Sequence, residues 1–276
     1  MKHFAQCEPS GWHNLTGLLT DIDDTLTTDG AITPDALQAL ADLKAAGLSV
    51  VAITGRPVGW SEPFAAQWPV DAIVAENGAV ALRRAAEDLN EIGLQRLSNK
   101  RWQLSKSYQQ PPAVRQHNYA HMQQVLAQIE SEVPGARRAT DSAGRETDIA
   151  IDHSEFTHLP AAAIAACVAQ MQAAGMTATV SSIHINGWFG AHNKLEGARW
   201  IVRTLWGDDF AAQLHRWVYI GDSTNDQLMF AHLPHSFGVA NVARFVPQLE
   251  HLPRYVTPSE RGQGFIELAR AITSAH

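Results

Sequence analysis

The sequence predicts an α/β fold: a doubly wound, mainly parallel, Rossmann-like sheet interrupted by an inserted α+β domain. Three observations lead to this class. Short apolar runs alternate with helical patterns near both ends of the chain, the middle departs from that alternation, and small polar or acidic residues follow the apolar runs. Alternating strands and helices are typical of βαβ units around a parallel sheet.

The outer parts of the chain supply the strands and helices of the main sheet. Apolar runs of strand length lie at residues 17–20, 48–54, 70–78, 216–222 and 235–241. Residues 33–47 read as a helix, because Thr33 suits the N-cap and Gly47 suits the C-terminal stop. Two further helical patterns cover 194–206 and 225–233. These elements predict a core domain made of residues 1–82 and 189–276.

The middle of the chain, residues 83–188, is predicted to form an inserted cap domain. Its first part, 83–113, is polar and ends in two prolines. Helical patterns and strand patterns then alternate differently from the core, with helices at 114–130 and 160–174 and strands at 147–153 and 176–187. This mixture indicates an α+β unit.

Composition limits the class of protein before any motif is considered. The 276 residues are 45% hydrophobic, so a packed core is expected and a disordered or fibrous chain is not. The formal net charge of −7 argues against a nucleic-acid partner. Two cysteines fit a reducing compartment, and no apolar leader or membrane-length apolar run is present. We therefore expect a cytoplasmic protein with no membrane partner.

Acidic and small polar residues follow four of the predicted strands. They are Asp21 and Asp23; Thr54, Gly55 and Arg56; Glu76 and Asn77; and Asp222, Ser223, Asn225 and Asp226. In an open α/β sheet the carboxyl ends of the strands form the ligand crevice, so these side chains are expected to converge there. Carboxylate, hydroxyl and amide oxygens suit Mg²⁺.

The same residues have the chemistry needed for phosphoryl transfer. Asp21 can attack phosphorus, and a second carboxylate at Asp23 can protonate a leaving oxygen and later activate water. Lys194, at the start of a predicted helix, can neutralise phosphate oxygens, and Thr25 and Thr54 can donate hydroxyl hydrogen bonds to them.

Rival motifs fail at identifiable positions. A calcium EF-hand loop starting at Asp21 requires Gly and Glu where the chain has Leu26 and Ile32. No Gly-Lys pair exists for a Walker loop, and the glycines at 262–264 lack the third glycine of a dinucleotide fingerprint. Asn225 replaces the glycine that a serine nucleophile elbow would need.

The motifs, taken together, resemble those of the haloacid dehalogenase superfamily of phosphatases. DIDDT at 21–25 resembles the first motif, ITGR at 53–56 the second, Lys194 the third and GDSTND at 221–226 the fourth. AENGA at 75–79 and the insertion between the second and third motifs resemble the Cof-like branch, which has a large α/β cap.

The resemblance implies a role for each matching residue. It makes Asp21 the nucleophile and Asp23 the general acid/base. It places Mg²⁺ on Asp21, the backbone carbonyl of Asp23 and Asp222, with Asp226 in support. Phosphate would be bound through Thr54 and Lys194, and Asn225 would position Lys194.

Several residues keep two interpretations at this stage. Asp24 is favoured as a turn residue or a charge support, and Asn77 as a tight-turn residue. Arg56 either binds substrate or braces its loop. In the cap, alternation puts His184, Asn186 and Trp188 on one strand face, which either meets sugar hydroxyls or is a solvent side. The same choice is open for Arg145 and Asp148.

The function expected from these motifs is Mg²⁺-dependent hydrolysis of a small phosphomonoester, such as a sugar phosphate, through an aspartyl-phosphate. A hexose-phosphate phosphomutase is the alternative enzyme, since the same intermediate can return its phosphoryl group to a sugar. A non-catalytic module that binds a phosphorylated metabolite is the alternative outside catalysis. The expected partner is that metabolite, and the expected assembly is a monomer or a small homo-oligomer.

Overall fold

A large sheet and a small sheet organise the protein. The structure is a computed structural model, and it describes residues 1–7, 12–86 and 102–276. Its strands are β1 Lys2–His3, β2 Gly17–Thr20, β3 Ser49–Ile53, β4 Ala72–Ala75, β5 Val80–Ala86, β6 Trp102–Tyr108, β7 Ile149–Asp152, β8 Thr177–Val180, β9 His184–Trp188, β10 Trp217–Gly221, β11 His235–Gly238 and β12 Tyr255–Val256. Its α-helices are α1 Pro34–Ala45, α2 Val58–Gln67, α3 Pro112–Glu132, α4 Ala161–Ala173, α5 Lys194–Trp206, α6 Gln227–His232 and α7 Arg261–Ala275.

The large sheet is doubly wound, as predicted. Its strand order is β1-β12-β11-β10-β2-β3-β4-β5-β6, and pairing is parallel from β1 through β4. The chain runs outward from β2 through β3 to β4, and outward in the other direction from β10 through β11. The switch point therefore lies between β2 and β10, where ligands of such sheets bind.

Alternation along the central strands produces two apolar layers. Leu18 and Val50 pack on one face with α1, α2 and α7, whereas Leu19 and Val51 pack on the other face with α5 and α6. Because successive side chains of a strand point to opposite faces, these nearly continuous apolar runs are expected of a sheet covered on both sides.

The small sheet, ordered β7-β9-β8, is antiparallel and carries α3 and α4 on one face. We call residues 109–188, which are built around this sheet, the cap. Trp188, which alternation along β9 places on the strand face of His184 and Asn186, is fully buried. Trp188 packs in the apolar cluster of the cap with Met171 and donates its indole N–H to a backbone carbonyl.

Strand pairing corrects the predicted start of the insertion. Residues 83–86 of β5 and all of β6 pair within the large sheet, although the sequence analysis assigned them to the cap. The polar composition of these residues led to the wrong boundary. β6 lies at the edge of the large sheet, where polar residues are common. Part of the polar stretch, residues 87–101, lies outside the described residues. That the cap acts as a separate domain stays a prediction.

Most other predicted elements occur within two residues of their expected ends. The run 176–187 forms two antiparallel strands, β8 and β9, instead of one. Helices α2 and α7 and the two-residue strands β1 and β12 were not predicted. None of the helices in the described ranges has the length and apolar character that crossing a membrane requires.

Candidate active site

Three charged side chains meet at the switch point of the large sheet. Asp21 directly follows β2, Asp226 lies just beyond β10, and Lys194 begins α5. The Lys194 Nζ lies 2.5 Å from Asp21 Oδ1 and 2.6 Å from Asp226 Oδ1. All three side chains are buried, so this double ion pair is shielded from solvent.

Asp226 orients its neighbours through hydrogen bonds to both of its oxygens. Oδ2 accepts from the backbone N–H groups of Asp222 and Ser223, at 2.8 and 2.9 Å. Oδ1 accepts from the Tyr219 hydroxyl in addition to Lys194. With four donors already on this carboxylate, its role is to hold Lys194 and the loop that follows β10. The predicted supporting role of Asp226 matches this arrangement better than direct metal ligation.

Asp222 presents a carboxylate oxygen that can accept a cation. Its Oδ2 accepts from Asn241 at 2.9 Å, whereas its buried Oδ1 has no hydrogen-bond partner within the described parts of the chain. Carboxylate oxygens of Asp21, Asp222 and Asp226 lie within 4.8 Å of one another. A buried, unsatisfied carboxylate oxygen is costly without a cation, so the donor set fits a hard divalent ion such as Mg²⁺.

Asp23 is held by an arginine that also reaches the cap. Arg56 Nε lies 2.9 and 3.1 Å from the two carboxylate oxygens of Asp23. Its Nη1 donates to Asp141 at 3.2 Å and its Nη2 donates to Glu155 at 2.7 Å. Arg56 therefore braces its loop against both Asp23 and the cap.

The third aspartate of the first motif lies outside the site, as favoured from the sequence. Asp24 has a φ of 54° and forms ion pairs with Arg244 and Arg261, at 3.4 and 3.1 Å. Its carbonyl accepts from Asn241. Asp24 is thus a turn residue that supports the loop, with no contact to Lys194.

The predicted phosphate-binding residues surround the Asp21 loop. Thr25 is fully buried and its Oγ1 has no partner among the described residues, so this hydroxyl is available to a ligand. Thr54 is also buried, and its Oγ1 accepts from the Arg56 N–H at 3.0 Å. Gly55 lines the cavity, where a Cβ atom would come within 3.3 Å of Asn77 Nδ2.

The expected contact of Asn225 with Lys194 is not present. Asn225 Oδ1 instead accepts from the Ser223 hydroxyl at 3.0 Å, and its Nδ2 donates to Asn77 Oδ1 at 3.3 Å. Lys194 is held by two carboxylates, which are stronger acceptors for an ammonium group than an amide oxygen. Asn225 lines the cavity and keeps its place among the candidate substrate-binding residues.

Close backbone packing places Lys194 at the site. Asn193 caps α5 by accepting from the Glu196 N–H at 3.0 Å, so the helix begins at the lysine. Gly197, one turn later, packs against Gly78, and a Cβ at Gly197 would lie 2.7 Å from the Gly78 Cα. The turn after β4 can approach α5 this closely only because both positions are glycine.

That turn also ties the core to the cap through Glu76. Glu76 and Asn77 both have positive φ values, 50° and 54°. The buried Glu76 carboxylate accepts from the backbone N–H of Val58 at 3.1 Å, of Glu146 at 3.0 Å and of Thr147 at 2.5 Å, and from the Thr147 hydroxyl. The strained turn is thus stabilised by contacts from both parts of the chain.

Cap residues chosen from the sequence do reach the core. Asn186 and Arg145 donate to the Gly55 carbonyl, at 3.4 and 3.1 Å. Arg145 also contacts both oxygens of the buried Asp148. His184 lines the cavity above Asp23. The face formed by these cap residues meets the site and not solvent.

Burial shifts the pKa values of the reactive groups. It raises the pKa of Asp21 to about 7, with Lys194 opposing the shift. It also raises the pKa of Asp23, with Arg56 opposing. Burial disfavours the Lys194 ammonium, yet Asp21 and Asp226 raise its pKa above the ordinary value. The cluster therefore combines a lasting cation with carboxyls whose protonation is tunable, as acid/base chemistry requires.

The cavity between core and cap is small. It measures about 10 Å³ and is lined by the core residues Asp21, Asp23, Gly55, Arg56, Ser223 and Asn225 and by cap residues 181–184. That volume is close to the space of one water molecule. The Thr224 hydroxyl also donates to the Val180 carbonyl of the cap. The structure thus represents a closed arrangement of the cap on the site.

Several residues of the site were missed by sequence reasoning. Tyr219 lies inside a strand and looks like a core aromatic, and Asn241 has no motif around it. Asp141 and Glu155 are cap loop residues whose approach to Arg56 depends on tertiary packing. Glu76 was noted at a strand end, but the four donors to its carboxylate could not be inferred from one chain position.

The fold and the site together define an α/β enzyme with clustered, buried carboxylates at the switch point of its parallel sheet. Residues 18–149 match the family model described as haloacid dehalogenase-like hydrolase, and over this range the chain is similar to that family of hydrolases. The resemblance noted from the four motifs is confirmed. No curated protein matches the sequence significantly.

Solved structures share the fold along nearly the whole chain. A Thermoplasma acidophilum protein has a TM-score of 0.67 at 14% identity, covering 95% of this chain and 100% of that one. A HAD/COF-like hydrolase from Plasmodium vivax has 0.65 at 15%, covering 95% and 97%. The sucrose-phosphatase from Synechocystis, in complex with sucrose and phosphate, has 0.61 at 15%, covering 94% and 98%. At these identities the likeness establishes the fold.

Proposed function

We propose that the protein is a Mg²⁺-dependent phosphomonoesterase that acts on a small sugar phosphate through an aspartyl-phosphate. One observation carries this proposal. Lys194 bridges the buried Asp21 and Asp226, beside a buried Asp222 oxygen to which no described residue donates a hydrogen bond. A fixed ammonium group and an oxygen-rich cation site next to a carboxylate nucleophile are the parts that phosphoryl transfer requires.

Mg²⁺ would be held by Asp21, by Asp222 and by the backbone carbonyl of Asp23. When bound, the ion neutralises charge on the phosphoryl oxygens and on the nucleophile. Asp226 would stay outside the ligand shell, since its oxygens already accept four hydrogen bonds. Its part is to orient Lys194 and the Asp222 loop.

The first half of the reaction forms the covalent intermediate. An Asp21 carboxylate oxygen attacks phosphorus, the bond between phosphorus and the ester oxygen breaks, and Asp23 gives its proton to that oxygen. The phosphoryl oxygens meet Lys194, Thr25 and Thr54. Burial raises the pKa of Asp23 and so favours the protonated form from which this donation starts.

The second half releases phosphate. Asp23, now ionised, takes a proton from water, and the resulting hydroxide attacks phosphorus of the aspartyl-phosphate. The bond between phosphorus and the Asp21 oxygen breaks and restores the nucleophile. Arg56 stabilises the ionised Asp23 during this step, because its Nε contacts both carboxylate oxygens.

The sugar-phosphate class is supported by the structural relatives and by the cap. A sucrose-phosphatase and a trehalose-6-phosphate phosphatase related protein share the fold, at TM-scores of 0.61 and 0.57. The cap covers a cavity of about 10 Å³, which no sugar can enter without movement of the cap. Opening and closure of the cap would admit the substrate and then exclude bulk water.

The test is phosphate release from p-nitrophenyl phosphate and from a set of hexose phosphates, with Mg²⁺ and with EDTA. Asp21→Asn removes the nucleophile and is expected to abolish turnover. Asp24→Asn is the matched control, since it makes the same change in the same motif outside the Lys194 cluster. Asparagine also tolerates the positive φ of position 24.

Asp24→Asn should keep activity close to that of the unchanged protein, and EDTA should remove it. Near-normal turnover by a folded Asp21→Asn protein would refute the assignment. So would an absence of phosphate release from every ester in the set.

A further inference from the structure

The part of the cap that faces Asp23 is built around one carboxylate, Glu155. Its Oε1 accepts from Arg56 Nη2 at 2.7 Å, and its Oε2 accepts from His184 Nε2 at 2.9 Å. Burial opposes ionisation of Glu155, but the bonds from His184 and Arg56 lower its pKa to about 2. A permanently charged acceptor therefore lies next to the groups that line the cavity.

The loop that carries Glu155 is fixed by another carboxylate. Asp152, at the end of β7, accepts from the backbone N–H groups of Ser154, Glu155, Phe156 and Thr157, at 2.9 to 3.1 Å. The Thr157 hydroxyl donates to the Asp152 carbonyl. Because these hydrogen bonds already order the loop, the loop loses less conformational entropy when it binds a ligand. A residue that recognises a ligand requires such pre-ordering.

The orientation of His184 follows from its partners. Arg145 Nη2 lies 3.4 Å from His184 Nδ1, and a guanidinium group can only donate. In the neutral ring Nδ1 is therefore the acceptor and Nε2 carries the proton that goes to Glu155. The contact with the buried Arg145 thus fixes the His184 ring, and the ring in turn holds Glu155 so that its carboxylate points toward Arg56.

Cations near the leaving-group side of Asp23 are already used. Arg56 is the one cationic side chain, among the described residues, that lines the cavity, and its Nε, Nη1 and Nη2 donate to Asp23, Asp141 and Glu155. Arg145 is buried against Asp141 and Asp148. Both guanidinium groups are thus balanced by carboxyl groups, so the described residues that line this side of the cavity offer no unpaired cation to an anionic substituent, whereas Glu155 stays ionised.

We propose that Glu155 is a specificity-determining residue that selects substrates with a neutral, polyhydroxylated leaving group and rejects those with a second anionic group. Hydroxyls of the leaving group would donate to the Glu155 carboxylate. A carboxylate or second phosphate would be repelled there and would find no unpaired cation among the described residues that line the cavity. This inference rests on the proposed function and refines its substrate class.

The same charge balance separates hydrolysis from a mutase reaction. A phosphomutase must hold a sugar bisphosphate, whose second phosphate would lie on the leaving-group side of Asp23. With Glu155 and Asp141 present there, that phosphate is disfavoured. Hydrolysis of a monophosphate is the outcome that the charges favour.

The experiment compares esters with matched carbon skeletons. Rates of phosphate release with Mg²⁺ are measured for glucose 6-phosphate against 6-phosphogluconate, and for glycerol 3-phosphate against 3-phosphoglycerate. Fructose 1,6-bisphosphate adds the second phosphate, and p-nitrophenyl phosphate reports basal chemistry. In each pair, the ester with the uncharged leaving group (the neutral member) is expected to have a kcat/KM at least about tenfold higher than the ester with the carboxylate (the acidic member), because like charges repel at close range.

Variants test whether Glu155 causes that selectivity. Glu155→Gln keeps the shape but removes the charge, so the ratio of kcat/KM between neutral and acidic members should fall at least about fivefold. Glu155→Asp keeps the charge and should retain most of the ratio. Glu130→Gln is the matched control, since Glu130 pairs with Arg138 on the cap and does not line the cavity. A merely structural role would lower both members of a pair equally.

The outcomes are distinguishable from those of the proposed function. If no ester releases phosphate, including p-nitrophenyl phosphate, the proposed function fails. If p-nitrophenyl phosphate is hydrolysed but acidic esters equal or exceed neutral ones, only the role of Glu155 is overturned. An unchanged ratio in folded Glu155→Gln overturns it as well. Should that variant not fold, Asp141→Asn is measured instead, with the same expected direction.

Discussion

Replacing Gly197 with alanine should disable the active site without touching any reactive group. Gly197 lies in the first turn of α5, three residues after Lys194. A Cβ at this position would lie 2.7 Å from the Gly78 Cα and 3.3 Å from the Gly78 carbonyl oxygen. Because backbone atoms cannot rotate away, either α5 or the turn after β4 has to move.

The size of the effect follows from two opposing terms. Exchange of glycine for alanine inside a helix stabilises by about 1 kcal/mol. Overpacking of a tight contact costs up to about 3 kcal/mol, and a contact with backbone belongs at the upper end. We expect a net loss of about 2 kcal/mol in the free energy of unfolding. Relief of the contact by a shift approaching 1 Å would also displace Lys194 from Asp21 and lower kcat about a hundredfold.

The assay pairs urea denaturation with phosphate release from p-nitrophenyl phosphate. Thr204→Ala, an exposed change on the same helix, is the control and should leave both quantities nearly unchanged. A Gly197→Ala protein with unaltered stability and turnover would refute the claim that this contact positions Lys194.

The remaining predictions concern the charged groups. Burial raises the pKa of Asp21 in the folded protein to about 7, so its contribution to stability is greatest at acidic pH and declines as pH rises toward 7. The increase in Tm that Mg²⁺ causes should therefore be larger at about pH 7.5 than at about pH 5. Thermal denaturation with and without Mg²⁺ measures this difference. Lys194→Met leaves Asp21 and Asp226 buried without their cation, which should lower the free energy of unfolding, measured by urea titration, by about 3–5 kcal/mol. It should also lower kcat by roughly a hundredfold or more. Glu76→Gln replaces the carboxylate that accepts backbone N–H groups, including that of Thr147, by an amide, and should lower the free energy of unfolding by about 2 kcal/mol. Equal urea denaturation midpoints for the variant and the unchanged protein would contradict this.

Local signals in the sequence predict the large sheet and the convergence of its strand-end residues well. Thr33 accepts from the Ala36 N–H at 3.3 Å as an N-cap should, and Gly47 has a φ of 84°. Asp21, Thr54 and Asp222 follow β2, β3 and β10, whose parallel pairing brings their ends to one edge of the sheet. Periodicity and strand order suffice for such features because they depend on near neighbours and on one topological rule.

Features that depend on distant pairing were missed or misplaced. Strand β6 was assigned to the cap because its sequence is polar, but edge strands tolerate polar residues. Its pairing with β5 places it in the large sheet. The bonds from Arg56 to Asp141 and Glu155 join positions 85 and 99 residues apart. The expected contact between Asn225 and Lys194 failed because Asp226 competes more strongly for the ammonium group.

The covalent intermediate is the central claim, and one measurement tests it most directly. The protein is mixed with a hydrolysed ester and Mg²⁺, quenched in acid within milliseconds, digested and mapped by mass spectrometry. The account predicts a phosphoryl group on the peptide that contains Asp21, removable by hydroxylamine and absent in Asp21→Asn. Turnover with no phosphorylated peptide, or with a hydroxylamine-stable phosphate on another residue such as Ser223, would contradict it.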